Sequence, residues 1–130
     1  MNILLILSLL IGVPYGYTQY SIAKIEKTHP PAGQFKIIDN IKMHYQISGS
    51  GPIVILLHAQ PSNQEKFNKL KDVLKNNYTV ISIDRPGMGY SESIKEQSPK
   101  RLMQQARLIR GLVREITNEK PIVVGHSYGG

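Results

Sequence analysis

The segment Gly125-His126-Ser127-Tyr128-Gly129 carries the strongest chemical signal in the sequence. A serine between two glycines, directly after the apolar pair Val123-Val124, can sit on a sharp strand-to-helix turn. Its oxygen is then exposed above the sheet, and the glycines make room where side chains would clash. The chemistry implied is attack of the Ser127 oxygen on an acyl carbon, followed by hydrolysis by water. A Gly-x-Ser-x-Gly run is weak evidence alone, since a serine in an ordinary turn gives the same letters. Serine also needs a neighbouring base to take its proton. The titratable candidates are His29, His44, His58 and His126, with Asp84 as a carboxylate. No pair of these histidines has metal-ligand spacing on a shared helix face, and the chain has 0 cysteines, so neither a metal nor a disulfide framework is expected. No cofactor is expected.

The surrounding pattern supplies the elements that a strand-end serine needs. Phe35 to Ile38 and Ile41 to Ile47 flank Asp39-Asn40 and read as a hairpin, with Ile41, Met43, Tyr45 and Ile47 on one face. Ile53 to Leu57 is a continuous apolar run, as for a strand buried on both faces. A helix is expected from about Gln64 to Lys75, with Phe67, Leu70 and Leu74 on one stripe. Tyr78 to Ile83 is a strand, followed by a glycine-rich loop from Asp84 to Ser91. Gly87 and Gly89 are expected to take left-handed backbone conformations there. Ser98 can cap, and Pro99 begin, a helix carrying Leu102, Ala106, Ile109, Val113 and Ile116 on one face. Pro121 to Val124 is a last strand, leading to Ser127. A hairpin followed by β-α-β-α-β alternation implies an α/β fold, with an antiparallel edge on a parallel sheet.

Three segments, in order, resemble the α/β-hydrolase family, and the resemblance covers residues 35–130. Leu56-Leu57-His58-Ala59-Gln60-Pro61 resembles the His-Gly-x-Pro oxyanion loop after the third strand. Asp84-Arg85-Pro86-Gly87-Met88-Gly89-Tyr90-Ser91 resembles the loop after the fourth strand. Val124-Gly125-His126-Ser127-Tyr128-Gly129-Gly130 resembles the nucleophile elbow. The resemblance implies an esterase-like serine hydrolase with Ser127 as nucleophile. The backbone N–H groups of Tyr128 and Gln60 would be the oxyanion donors. Ala59 departs from the usual glycine and puts a Cβ into the loop that carries Gln60. Asp84 precedes the serine, whereas the family order is serine, acid, histidine; its implied role is to hold the glycine-rich loop. His126 is expected to point away from the reaction and His58 to bond the loop backbone. His44 is expected to be solvated on the polar face of its strand, and His29 to belong to a linker.

The chain has 130 residues, 41% of them hydrophobic, and a formal charge of +7. Its basic runs, Lys66, Lys69, Lys71, Lys75 and Lys100, Arg101, Arg107, Arg110, Arg114, read as solvated helix faces, with attraction to an anionic membrane as the functional alternative. Nucleic-acid binding is not expected, for want of a recognition motif. Ile3 to Val13 is almost wholly apolar but short for a membrane span. Residues 1–23 are therefore expected to form an apolar anchor or signal segment that meets membrane lipid through residues 3–23. Localisation would then be at a membrane, or outside it after cleavage. Residues 24–34 read as a linker, and residues 35–130 as a partial hydrolase domain ending after the elbow, before any acid or base. Three functions stay open: the N-terminal portion of a serine hydrolase acting on a small ester-like substrate, a catalytically incomplete remnant, and a membrane-anchored binding module.

Overall fold

A computed structural model of the chain describes residues 3–95 and 101–130. They form two compact units, which divide between Ala32 and Gly33. The first unit is one helix, α1 (Ile3–Thr28). It continues through residues 24–28, which the sequence pattern had given to the linker, because Lys24, Ile25 and Lys27 carry nothing that breaks a helix. The Thr28 hydroxyl donates to the Lys24 carbonyl at 2.9 Å, and His29 N–H donates to Ile25 O at 2.8 Å. Pro30-Pro31 then stops the helix. Pro14 lies inside it, and the Thr18 hydroxyl donates to the Pro14 carbonyl at 2.8 Å. Among the described residues, no helix is long and apolar enough to cross a membrane. The anchor or signal segment expected of residues 1–23 is thus no transmembrane helix among the described residues. Gly12, Pro14, Gly16, Thr18, Gln19 and Ser21 dilute the apolar run before it reaches the ~20 residues that a span needs.

The second unit holds a five-stranded sheet in the order β1-β2-β4-β3-β5: β1 (Gln34–Ile38), β2 (Ile41–Ser48), β3 (Ile53–Leu57), β4 (Thr79–Ile83) and β5 (Ile122–Gly125). The β1–β2 hairpin is antiparallel, as is the β2–β4 pairing, while β3 pairs in parallel with both β4 and β5. Asp39 and Asn40 take φ values of 48° and 63°, the left-handed pair that a two-residue hairpin turn requires. At the centre, Ile55 lies opposite Ile81 on one side and Val123 on the other.

Two helical connections complete the β-α-β units. The first is a 3-10 turn (Gln64–Phe67) that runs into α2 (Asn68–Leu74), rather than one continuous helix. Asn63 caps it by accepting from Glu65 N–H at 3.1 Å. The second is α3 (Arg101–Ile116); the expected cap Ser98 and Pro99 lie outside the described residues. The main core joins Leu108 and Leu112 of α3 to Ile38, Met43, Tyr45, Ile53, Ile55, Ile81 and Ile83. Burial of each such side chain contributes about 1.5–3 kcal/mol. The buried face of α3 is thus rotated from the expected stripe: Gln105, Leu108 and Leu112 are buried, Ile109 and Val113 half-buried, and Leu102 exposed. Leu102, Met103, Ile109 and Val113 instead line an open cleft of about 940 Å³ facing Val123 of β5.

Candidate active site

Ser127 lies two residues beyond the end of β5, at the start of a 3-10 turn (Ser127–Gly129), with φ at 54°. Holding a residue with a side chain in this region costs on the order of 1–2 kcal/mol. The neighbouring hydrogen bonds hold it there. His126 N–H donates to Leu57 O at 3.0 Å, Gly129 N–H to His126 O at 3.0 Å, and Gly130 N–H to Ser127 O at 2.9 Å. The flanking glycines are needed for space. A Cβ on Gly129 would run into the Leu57 and His58 carbonyls, and one on Gly125 into the backbone of Gly129 and Gly130. The amide of Tyr128, between these engaged groups, donates to no described residue.

Gln60 stands in the loop after β3. Its amide likewise donates to no described residue. Gln60 and Tyr128 both border a cleft of about 410 Å³, together with Pro61, Ser62, Pro86 and Gln105. The departure at Ala59 leaves the loop anchored by His58, which is buried. Its Nδ1 lies 2.8 Å from the Ala59 carbonyl, and its Nε2 is 3.0 Å from Arg85 N–H. A carbonyl can only accept and an amide only donate, so Nδ1 carries the proton and Nε2 is the acceptor. Burial pulls the His58 pKa below its ordinary value; Arg85 adds to this, and the Ala59 carbonyl and Asp84 oppose it. With both ring nitrogens committed, His58 is a backbone clamp, not a free base.

The end of β4 forms a second, fully buried assembly around Asp84. One carboxylate oxygen accepts from Gln64 N–H at 2.7 Å. The other accepts from Tyr90 N–H at 3.1 Å and lies 2.7 Å from His44 Nδ1. Burial alone would raise the Asp84 pKa, but the bonds from His44, Gln64 and Tyr90 outweigh it and hold the carboxyl below its ordinary range. Gly87 and Gly89 do take left-handed conformations, at φ 81° and 53°, and the Asp84 carboxylate fills the space a Gly89 Cβ would need. Asp84 therefore holds the glycine-rich loop.

His44 corrects the sequence reading. It is fully buried, not solvated, because the loop after β4 folds over β2: Ser91 Oγ accepts from His44 N–H at 2.8 Å and donates to Asp84 O at 2.6 Å. The His44–Asp84 pair has the make-up of a catalytic dyad, but β4 and β3 separate β2 from β5. Three strand spacings, about 14 Å, lie between them. His126 is exposed. Among the described residues, no group of histidine, cysteine, aspartate and glutamate could hold a metal ion.

Three polar residues behind these loops escaped the sequence reading. Lys71, read as part of a solvated run, is buried and donates to Gln46 Oε1 at 2.6 Å and Gln64 Oε1 at 2.8 Å. Arg85 is buried and donates to Gln105 Oε1 at 2.7 Å, with its guanidinium 4.4 Å from the centre of the Tyr128 ring. One signal was available for Arg85: it lies two residues past the buried strand β4 and next to Pro86-Gly87, at the root of the glycine-rich loop. Gln105 and Lys71 gave none, since periodicity assigns a polar residue on an amphipathic helix to the solvent side.

Residues 52–130 match the family model described as the alpha/beta hydrolase fold. Among curated proteins, the chain is 35% identical over 105 residues to a soluble epoxide hydrolase of Corynebacterium sp. (strain C12), covering 81% of this chain and 35% of that protein. Among solved structures, an epoxide hydrolase from Vigna radiata superposes with a TM-score of 0.70 at 24% identity, over 75% of this chain and 32% of that one. A membrane phospholipase A superposes with a TM-score of 0.69 at 24% identity, over 97% of this chain and 44% of that one. The chain spans about a third of the length of the curated relatives it matches. With the family model matched from β3 through the elbow, on a sheet of this order, the chain belongs to the α/β-hydrolase fold family.

Proposed function

We propose that this chain carries the nucleophile and oxyanion donors of a serine hydrolase acting on a small carboxylic ester or related acyl compound. One observation carries the reading: Ser127 is held at φ 54° on a strand-end turn, beside a Tyr128 amide that no described residue uses. Ser127 Oγ would attack the acyl carbon, and the Tyr128 and Gln60 amides would receive the charge that develops on the acyl oxygen. Position 127 is serine, which disfavours epoxide opening through an aspartate nucleophile. The proton of Ser127 needs an acceptor. His58 has both nitrogens committed and His44 is buried three strands away, so residues 1–130 alone are expected to hydrolyse esters at near-background rates. The test is hydrolysis of a short activated ester by the protein in its natural full length. Ser127→Ala is expected to lower turnover by on the order of 10⁴-fold or more. Equal rates for the two proteins would sink the reading.

Lipid contact through residues 3–23 is proposed separately. Helix α1 exposes Leu9, Leu10, Ile11, Val13, Tyr15, Tyr17 and Tyr20 along its length. Apolar side chains with tyrosines suit the boundary between headgroups and acyl chains. Flotation with phosphatidylcholine vesicles is expected to carry the intact chain upward. A chain that stays with the soluble fraction would contradict it.

A further inference from the structure

We propose that Arg85 is a positioning residue for the oxyanion site: its guanidinium, placed over the Tyr128 ring and tied to Gln105, fixes the peptide unit that presents the Tyr128 amide. This inference rests on the reading of Ser127 as nucleophile.

Arg85 is 3% exposed, and its contacts reach all the loops that matter. Its backbone N–H donates to His58 Nε2 at 3.0 Å, at the root of the loop carrying Gln60. Its side chain donates to Gln105 Oε1 at 2.7 Å on α3 and reaches the His58 carbonyl at 3.5 Å. Its Cζ lies over the Tyr128 ring, 4.4 Å from the centroid. The loop after β3, the loop after β4, α3 and the elbow therefore meet at one side chain.

The chemistry of the contact is specific. A planar guanidinium can stack on an aromatic face while its edge donates to a carbonyl or amide oxygen, which an ammonium does less well. Among the described residues, Arg85 takes part in no ion pair. A buried cation without a carboxylate is costly to keep, and filling space alone would not require one. The Tyr128 backbone follows directly on Ser127, at φ 54°, where small shifts of the turn move both the nucleophile and the adjacent amide. Misplacement of a reacting group by about 1 Å can cost on the order of a hundredfold in rate.

The experiment uses the protein in its natural full length with Arg85→Met, Arg85→Lys, Tyr128→Leu and the double variant Arg85→Met/Tyr128→Leu. Two readouts are taken: kcat and KM on a short uncharged activated ester, and backbone hydrogen exchange across residues 122–130 against β1–β2. Arg85→Met is expected to lower kcat about tenfold to a hundredfold with KM within about threefold, and to speed exchange at 126–130 while β1–β2 is unchanged. Arg85→Lys keeps the charge and loses the fork, so it should fall between wild type and Arg85→Met. Tyr128→Leu removes the same contact from the exposed side, and should reproduce the loss even if Arg85→Met does not fold. The double variant should cost no more than the larger single loss. Unchanged exchange at the elbow in Arg85→Met or Tyr128→Leu overturns the proposal whatever the activity, as does kcat within twofold of wild type in either. Turnover that survives Ser127→Ala overturns the nucleophile reading instead, and the exchange data then report on Arg85 separately.

Discussion

The C-terminal ends of β4 and β5 point the same way, since both strands run parallel to β3, and they are built in opposite ways. At the end of β4, Asp84 is 1% exposed and its carboxylate is bonded by His44, Gln64 and Tyr90. At the end of β5, Ser127 is exposed and its backbone lies in the left-handed region. The amide that follows it has no described partner. The first end is satisfied and shut; the second is open, with a donor left over. Buried polar groups are normally paired, and non-glycine residues at positive φ are uncommon. The difference separates a strand end whose polar groups hold a loop from one whose following amide no described residue uses. Both ends contain side chains fit for catalysis, and composition alone would favour the wrong one, since His44 and Asp84 already form a close pair.

If the β4 end is a structural hub, breaking it should cost stability before anything else. Asp84→Ala leaves two amides and His44 facing an empty site, and is expected to lower unfolding free energy by about 3–5 kcal/mol in urea titrations. A loss below ~1 kcal/mol would show that the hub is not carrying the loop.

The same assembly should be sensitive to acid. The folded pKa of Asp84 lies below its unfolded value, so its contribution is full above about pH 4 and is lost as pH falls through the folded pKa. His58 also has a lowered folded pKa. It favours the neutral ring, and its contribution is full above about pH 6.5 and declines below that. Melting temperature should therefore fall in two stages on acidification, and His58→Gln should flatten the upper one. A profile that is flat from pH 7 to pH 3 would contradict both assignments.

Gly89→Ala probes the close approach within the hub. Its Cβ would meet the Asp84 carboxylate, at a φ of 53°, and about 1–3 kcal/mol should be lost by thermal melting. The open end should respond in the other direction. Ser127→Gly relieves the left-handed strain, and is expected to raise stability by about 1 kcal/mol while abolishing turnover. Stability that falls instead would show that Ser127 is held by contacts and is not strained. The exposed Lys75–Asp72 pair, at 2.7 Å, belongs to neither end, and Asp72→Asn should leave the melting temperature unchanged within error.

Much of this scaffold is legible in the sequence because it depends on local signals. Asp39-Asn40 announces its turn, Ile53 to Leu57 its burial, and the glycines around Ser127 their space. The strand-end turn at Ser127 is legible because its glycines directly follow an apolar strand. What escaped depends on segments far apart in the chain. His44 looks solvated on its own strand, and is buried only because Asp84 to Ser91 folds over it, at least 40 residues on. Lys71 and Gln105 are buried polar residues on amphipathic helices. Periodicity places such residues outside, since only a distant partner gives them a reason to turn in. The buried face of α3 departs from its apolar stripe for the same cause, with Gln105 bonded to Arg85.

The most direct test of the contrast is covalent labelling. The protein in its natural full length is treated with an alkyl fluorophosphonate, and the modified peptide is identified by mass spectrometry. An activated serine beside free amides should be phosphonylated at Ser127, with labelling abolished in Ser127→Ala and retained in a folded His44→Gln variant. Modification elsewhere, an unlabelled Ser127, or loss of labelling in a folded His44→Gln protein would contradict the assignment of chemistry to the end of β5.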